Sequence, residues 1–232
     1  MTVYAVITAR GKSKRILNKN LLDLDGHPLV AWSIAAASIS KNIDRVIVST
    51  DSKEIENISL EYGSEVSIRP DYLSGDYSSS YDVIKYMVDK EFEFTPEFIV
   101  LLQPTSPLRE INLIDQALGV FKNCIDHNYA VEVIEFNANF AKIINKKLIF
   151  ETQQRTQDLA KRYFPSGRIF IYKTSDIFFK KEEASIMPLI GPQHQFNINI
   201  DEKEDYELLK LIYENRKDEF SHLKNYLDDI KK

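Results

Sequence analysis

Between Arg10 and Lys19 the chain places five cations in ten residues, Arg10, Lys12, Lys14, Arg15 and Lys19, although its formal net charge is -5. Like charges at that density repel one another unless an anion gathers them. The stretch "TARGKSKRILNKN" therefore predicts a local site for a small anion. Gly11-Lys12-Ser13 invites a P-loop reading, but a P-loop needs another glycine five residues upstream, where the chain turns so that successive N–H groups cradle phosphates. Val6 holds that position, and "KRILNKN" has no apolar stripe at helical spacing. The anion chemistry expected here is not that of a P-loop.

Other chemistries are bounded by composition. Cys124 is the one cysteine, and His27, His127, His194 and His222 form no Cys/His pair at zinc spacing. Any metal must then be held by oxygen ligands. An acidic chain lacks the basic footprint of a nucleic-acid binder, and Gly11 stands alone where a dinucleotide site needs G-x-G-x-x-G. No apolar run of about 18 residues and no signal-peptide pattern occurs. A cytoplasmic protein without nucleic-acid partners or membrane insertion is expected.

The elements that must position these residues follow from periodicity. Strand-like "VYAVIT", "RVIVST", "EVSIR" and "FIVLLQ" alternate with helical patterns near Leu29 to Ser40, Lys53 to Tyr62, Tyr81 to Phe92 and Leu113 to Asn123. In the last of these, Ile114, Ala117, Leu118 and Phe121 share one face. Such alternation predicts an α/β fold: a Rossmann-like three-layer sandwich with a mainly parallel mixed sheet. The 232 residues, 44% hydrophobic, suit a single domain spanning 1–232. "AVEVIEF", "AKII" and "KLIF" read as antiparallel hairpins, "RIFIY" and "FNINI" as strands returning to the sheet, and the residues after Asp201 and the tail as amphipathic helices.

Ligands of an open parallel sheet bind outside the carboxyl ends of its strands. Here those ends carry "ARGKSKRILNKN", "STD", "QPTSPLR" and Asp201. Four polar strand ends converging on one edge predict a site.

Together these segments resemble the acylneuraminate cytidylyltransferases. "ARGKSKRILNKNL", "DRVIVSTDSKEI", "RPDYLSGDYSSSYDVI", "LLQPTSPLR" and "RTQDLAKRYFPSGRIFIY" are similar to that family's motifs, in order, over about Val3 to Leu209. The resemblance implies a nucleotide-diphospho-sugar transferase fold and a homodimer. It also implies CMP transfer from CTP to a sialic-acid-like nonulosonic acid with Mg²⁺, releasing pyrophosphate, for surface-glycan synthesis. Residues 131–153 are expected to form the dimerisation arm.

Residue by residue, the resemblance implies CTP contacts at Ala9, Arg10, Gly11, Lys19, Asn20, Ser78, Ser79 and Ser80, with Arg10, Lys14, Lys19 and Asp201 catalytic. Cations around the triphosphate would stabilise the departing pyrophosphate. Gln103 aligns with the sugar-contacting glutamine, and Arg109, Arg155 and Gln157 are candidate partners for the acid's carboxylate and amide; an arginine fork suits a carboxylate. Asp201, Asp51 and a metal-bound hydroxide are the candidate bases.

Two departures stand out. The family's Asp-x-Asp metal motif here reads Asn199-Ile200-Asp201, which removes one carboxylate from a hard-cation site. Asp201 also suits an N-cap with Glu204 as its capping-box partner. In "FPSGRIFIY", Ser166 and Arg168 replace the usual Asn and Ala and are expected to alter the sugar pocket. The alternatives are a nucleotidyltransferase for another acidic sugar or phosphorylated acceptor, or a catalytically weak nucleotide-binding homologue.

Overall fold

Strand Val3–Thr8 (β1) is apolar on both faces, and Val3 to Ile7 are all buried. A strand of that kind must be covered on both sides, as in parallel sheets. In a computed structural model, which describes residues 1–75, 77–136, 138–152, 154–178, 184–191 and 198–231, β1 lies inside a seven-stranded sheet. It pairs in parallel with Arg45–Thr50 (β4) and Phe98–Leu102 (β6), and β4 pairs in parallel with Glu65–Ile68 (β5). The long strand Arg162–Lys173 (β10) runs antiparallel to β6 and to Tyr129–Phe136 (β7), and Ile186–Ile190 (β11) closes the far edge parallel to β7. The sheet order β11-β7-β10-β6-β1-β4-β5 is the mainly parallel mixed sheet expected from the sequence.

Side chains alternate across β1, so its residues feed two cores. Val3, Ala5 and Ile7 join Trp32, Ile55, Leu118, Leu209 and Leu223, whereas Tyr4 and Val6 join Val83, Ile84 and Met87. The first core carries the helices Leu29–Ile39 (α1), Lys53–Glu61 (α2), Leu113–Phe121 (α4), Lys203–Asn215 (α5) and Ser221–Ile230 (α6). Ser80–Tyr86 (α3) lies on the opposite face. Each fully buried Ile, Leu or Val contributes roughly 1.5–3 kcal/mol. Helix α1 is buried from Leu29 to Ala37 because it is sandwiched between the sheet and α6. A tight hairpin delivers it: Asp23–Leu24 (β2) and His27–Pro28 (β3) flank Asp25 and Gly26, both at positive φ, as a two-residue hairpin turn requires.

The register brings the site together. Thr8 pairs with Ser49 and Ile7 with Leu102, so the loops after β1, β4 and β6 leave the same edge of the sheet.

The structure departs from the sequence reading in its second half. Residues 131–136 belong to β7 of the main sheet, and the separate hairpin comprises Ala141–Ile144 (β8) and Lys147–Phe150 (β9), turned by Asn145 and Lys146 at positive φ. Of the expected strand "FNINI", Phe196 and Asn197 lie outside the described residues. Ile198 to Ile200 are not a strand; Ile200 N–H donates to the Thr105 carbonyl at 2.9 Å. The edge position goes instead to β11, where Pro188 is tolerated because an edge strand leaves one ladder unused. Helix α3 stops at Tyr86 and continues as a π-helical turn over Met87–Glu91. Among the described residues, no helix is long and apolar enough to cross a membrane.

Candidate active site

The basic loop is folded back by hydrogen bonds from both of its ends. Ala9 N–H continues the β1 ladder to the Ser49 carbonyl at 3.0 Å, and the next turn is fixed by Gly11 N–H donating to Asp51 Oδ1 at 2.7 Å. A Cβ on Gly11 would lie 2.7 Å from Ser52 Cβ. Gly11 is thus required for close approach of two strand-end loops, a different reason from that of a P-loop glycine. Farther on, Asn18 takes a left-handed conformation at φ 52 and starts a 3-10 turn, Lys19–Leu21. Buried Asn20 then donates through Nδ2 to the Arg10 carbonyl at 2.9 Å, closing the loop.

A cleft of about 140 Å³ opens where these ends meet, lined by Thr8, Arg10, Ser13, Lys19, Asn20, Ser80, Gln103, Pro104 and Thr105. Roomier cavities of about 630 and 650 Å³ lie elsewhere, but the first is lined by no lysine or arginine and the second by Lys173 alone. Arg10 Nη1 donates to the Gly75 carbonyl at 3.3 Å, linking the basic loop to the serine-rich loop. The three serines make different contacts. Ser78 Oγ donates to the Tyr72 carbonyl at 2.8 Å, Ser79 caps α3 in a capping box with Asp82, and Ser80 Oγ meets Thr8 Oγ1 at 2.8 Å. Ser80 is the one of the three that lines the cleft.

Lys19 joins the cleft to the residues before α5. Its Nζ donates to the Ile200 carbonyl at 2.7 Å and to Asp201 Oδ1 at 3.0 Å, and Arg15 reaches Asp201 and Glu202 at 3.5 Å. The cap of α5 is Glu202 with Asp205 as box partner, not Asp201 with Glu204; Asp205 Oδ2 accepts the N–H groups of both Asp201 and Glu202 at 2.8 Å. Asp201 is thereby freed from capping. Both of its described ion pairs use Oδ1, and its side chain is 46% exposed. Asn199 is exposed beside the Gly167 turn, its Cγ 3.8 Å from where a Cβ on Gly167 would stand.

No group of three or more His, Cys, Asp or Glu in metal-holding arrangement occurs among the described residues. The oxygen donors of Asp201 and Asn199 fit a hard cation that draws its other ligands from phosphates and water, as Mg²⁺ commonly does.

A family model described as cytidylyltransferase matches residues 4–232. The chain belongs to the cytidylyltransferase family. It is 32% identical over 228 residues to the CMP-N,N'-diacetyllegionaminic acid synthase of Legionella pneumophila and 30% identical to the pseudaminic acid cytidylyltransferase of Campylobacter jejuni, covering 92% of this chain and 97% of each relative. It is also 30% identical to the N-acylneuraminate cytidylyltransferase of Escherichia coli, of whose length it spans 52%. Two solved structures share the fold. One is a CMP:2-keto-3-deoxy-manno-octonic acid synthetase complexed with CTP, with TM-score 0.70, 16% identity, and 93% of this chain and 99% of that one covered. The other is a cytidylyltransferase from Leptospira borgpetersenii, with TM-score 0.66, 20% identity, and coverage of 100% and 94%.

Within this cytidylyltransferase the expected residues divide. Arg10, Lys19, Asn20, Ser80 and Gln103 converge on the cleft; Lys14 is exposed and is not among the lining residues. Arg109 does not present its guanidinium to a ligand. It is 1% exposed and donates to the carbonyls of Arg168, Pro107 and Gln103 and to Ser33 Oγ. Burial, with Arg168 nearby, pushes its guanidinium below the ordinary arginine range against the pull of Glu132 and Glu110. Arg155 and Gln157 are exposed around a 3-10 turn, Thr156–Asp158, where Arg155 pairs with Asp158 at 2.7 Å. No described hydrogen bond ties them to the cleft.

Sequence reasoning missed Arg69. It is 6% exposed, donates through Nη2 to the Ser49 carbonyl at 2.5 Å, and has a buried Nε without a hydrogen-bond partner among the described residues. Burial pushes it down to about 10, with Asp51 raising it and Arg10 lowering it. Its signal was faint: an arginine directly after the strand "EVSI" and before a proline.

Proposed function

We propose that this cytidylyltransferase transfers CMP from CTP to a sialic-acid-like nonulosonic acid, releasing pyrophosphate, in surface-glycan synthesis. The observation that carries the reading is the cleft itself. Arg10 and Lys19 from one strand end, Ser80 from a second element and Gln103 from another strand end face a common space, with Asp201 beside Lys19. The Legionella, Campylobacter and E. coli relatives are named for legionaminic, pseudaminic and N-acylneuraminic acids, all of them nonulosonic acids.

In the reaction the acceptor hydroxyl attacks the α-phosphorus in line. A P–O bond forms to the sugar, the bond from the α-phosphorus to the oxygen bridging the β-phosphate breaks, and pyrophosphate departs with that bond's electron pair. Arg10 and Lys19, joined by Lys14 from the same loop, offset the charge that grows there. Ala9 and Gly11 contribute backbone, and Asn20 with the Ser78 to Ser80 run supports the nucleoside. Gln103 holds the acceptor, with Arg155 and Gln157 as its outer partners. When bound, Mg²⁺ would neutralise phosphate charge beside Asp201 and Asn199. Asp201 and Asp51 are the side-chain candidates for the acceptor proton, each with Oδ1 already engaged, by Lys19 Nζ at 3.0 Å and by the Gly11 N–H at 2.7 Å.

The chain works as a homodimer through its β8–β9 hairpin, which exposes Ile143, Leu148 and Phe150. The reaction is tested with purified protein, CTP, Mg²⁺ and a panel of nonulosonic and other acidic sugars. Pyrophosphate release with a nonulosonic acid is expected; release with another sugar alone redirects the acceptor class, and none at all sinks the reading.

A further inference from the structure

Behind the Gln103 loop lies a cluster of charges that the reaction does not use. Arg168 is 3% exposed and Glu132 2% exposed. Arg168 Nε donates to Glu132 Oε2 at 2.8 Å, Nη2 pairs with Glu132 Oε1, and Nη1 reaches both Glu110 oxygens at 2.7 Å. Ser166 Oγ donates to Glu132 Oε2 at 2.5 Å and accepts the Arg168 N–H at 3.1 Å.

From this cluster a chain of bonds runs to the cleft. The Arg168 carbonyl accepts Arg109 Nε at 2.9 Å, and Arg109 Nη2 donates to the Gln103 carbonyl at 3.0 Å. Ser106 Oγ donates to the Ser166 carbonyl at 3.3 Å. Between Ser166 and Arg168, Gly167 turns at φ +76, so close to the loop that a Cβ there would lie 2.9 Å from Gln103 Oε1 and 2.9 Å from Ser106 Oγ.

Charge balance explains the arrangement. Every described side-chain bond of Arg109 goes to a neutral oxygen, so its buried cation depends on carboxylates held by its neighbour. Two buried guanidiniums thus stand against Glu132 and Glu110. A buried ion cluster is weak evidence for stability, but removing one member leaves another charge uncompensated and destabilised, and here that strain falls on Arg109, which is bonded to the Gln103 carbonyl.

We propose that Arg168, clamped by Glu132 and Glu110, is a positioning residue that sets the acceptor side of the cleft by fixing Arg109 and the Gln103 to Arg109 loop. The proposal rests on the reading of Gln103 as the acceptor contact. It also gives the Ser166 and Arg168 departures a shared role: they act on the acceptor site from behind.

The test uses the full chain. Arg168→Met/Glu132→Gln removes one charge of each sign, and Arg168→Lys keeps the charge but loses the fork. For a folded double variant, kcat/KM for the acceptor should fall about tenfold or more, as misplacement of a binding group does, with CTP affinity by calorimetry within about twofold. Amide hydrogen exchange over residues 103–109 should quicken about tenfold, and Arg168→Lys should fall between the two. If the double variant does not fold, Glu110→Gln, at the more exposed end of the cluster, should cost about threefold in acceptor kcat/KM alone. Folded variants with unchanged acceptor kcat/KM and unchanged exchange overturn the proposal, as does equal loss toward CTP and acceptor. If the wild-type chain turns over no acceptor, the functional reading fails, and exchange over 103–109 by itself decides the positioning role.

Discussion

Lys19 Nζ stands 3.0 Å from Asp201 Oδ1, 182 positions along the chain, and 2.7 Å from the neighbouring Ile200 carbonyl. The pair places a cation of the β1 loop and a carboxylate before α5 at one rim of the cleft. Lys19→Met should lower kcat/KM by about 100- to 1000-fold, as loss of a preorganised charge stabiliser does. Pyrophosphate release checks this, and a variant within a few-fold of wild type would remove Lys19 from the catalytic group.

Gly11→Ala forces a Cβ to within 2.7 Å of Ser52 Cβ. The loop must shift, at a cost of about 1–3 kcal/mol typical of overpacking, and turnover should fall with it. Ser52 caps α2, its Oγ accepting the Ile55 N–H at 3.4 Å; Ser52→Gly removes the clashing atoms and replaces that cap for only a few tenths of a kcal/mol. The double variant should therefore melt higher than Gly11→Ala alone and regain activity. A melt that fails to rise would mean that something other than the Ser52 contact excludes the methyl group.

Asn199→Asp restores the second carboxylate of the metal motif. If Asn199 and Asp201 form a working variant site, turnover should stay within about threefold while half-saturation by Mg²⁺ moves to lower concentration, since added negative charge tightens a hard-cation site. A large gain from near-zero activity would instead identify the wild-type chain as a catalytically weak homologue.

Asp115, in the first turn of α4, accepts from Ser40 Oγ at 2.6 Å and from Asn42 Nδ2 at 2.8 Å. Burial alone would raise its pKa; the bonds from Ser40, Asn42 and Lys41 N–H outweigh it and hold the carboxyl below its ordinary 3.8. A carboxyl depressed on folding stabilises above its unfolded pKa, and that contribution is lost as pH falls through the folded value. The gap in urea midpoint between wild type and Asp115→Asn should be full at neutral pH and shrink as pH drops below 3.8. A gap that persists unchanged in acid would contradict the linkage.

In the β8–β9 hairpin, Ile143 and Leu148 are cross-strand partners and both exposed. An arm of this kind should give a solution mass twice the 26.9 kDa of the chain, and Leu148→Glu should shift the equilibrium toward monomer. Sedimentation at micromolar concentration checks both; a monomeric wild type would leave the hairpin without its proposed role.

The cleft was legible wherever local pattern and sheet topology coincide. The apolar runs of β1 and β6 mark central strands, and parallel strands carry their following loops to one edge, so the loops that hold Arg10, Lys19, Asn20 and Gln103 meet there, while the resemblance singles out those residues. Where partners are distant in sequence, pattern was silent or misleading. The sequence made Arg109 a candidate partner for the acid's carboxylate, yet Arg109 is buried, and the charges that balance it are Glu132 of β7 and Glu110 of its own loop, both held by Arg168 of β10. The "DEKE" segment read as an Asp201 cap with Glu204 as its partner, but Asp205 accepts the Glu202 N–H and makes Glu202 the cap.

Residue type and spacing by themselves determined the alternation of strands and helices, the failure of the P-loop, and the anion chemistry of the first loop. These depend on period, sterics and charge within a few residues. Tertiary structure decided which cations reach the cleft, that Gly11 serves Ser52, that Arg69 is buried against the Ser49 carbonyl, and that Arg109 faces inward. Those outcomes depend on burial and on charge compensation between strands far apart in sequence, and a lone side chain carries no record of either.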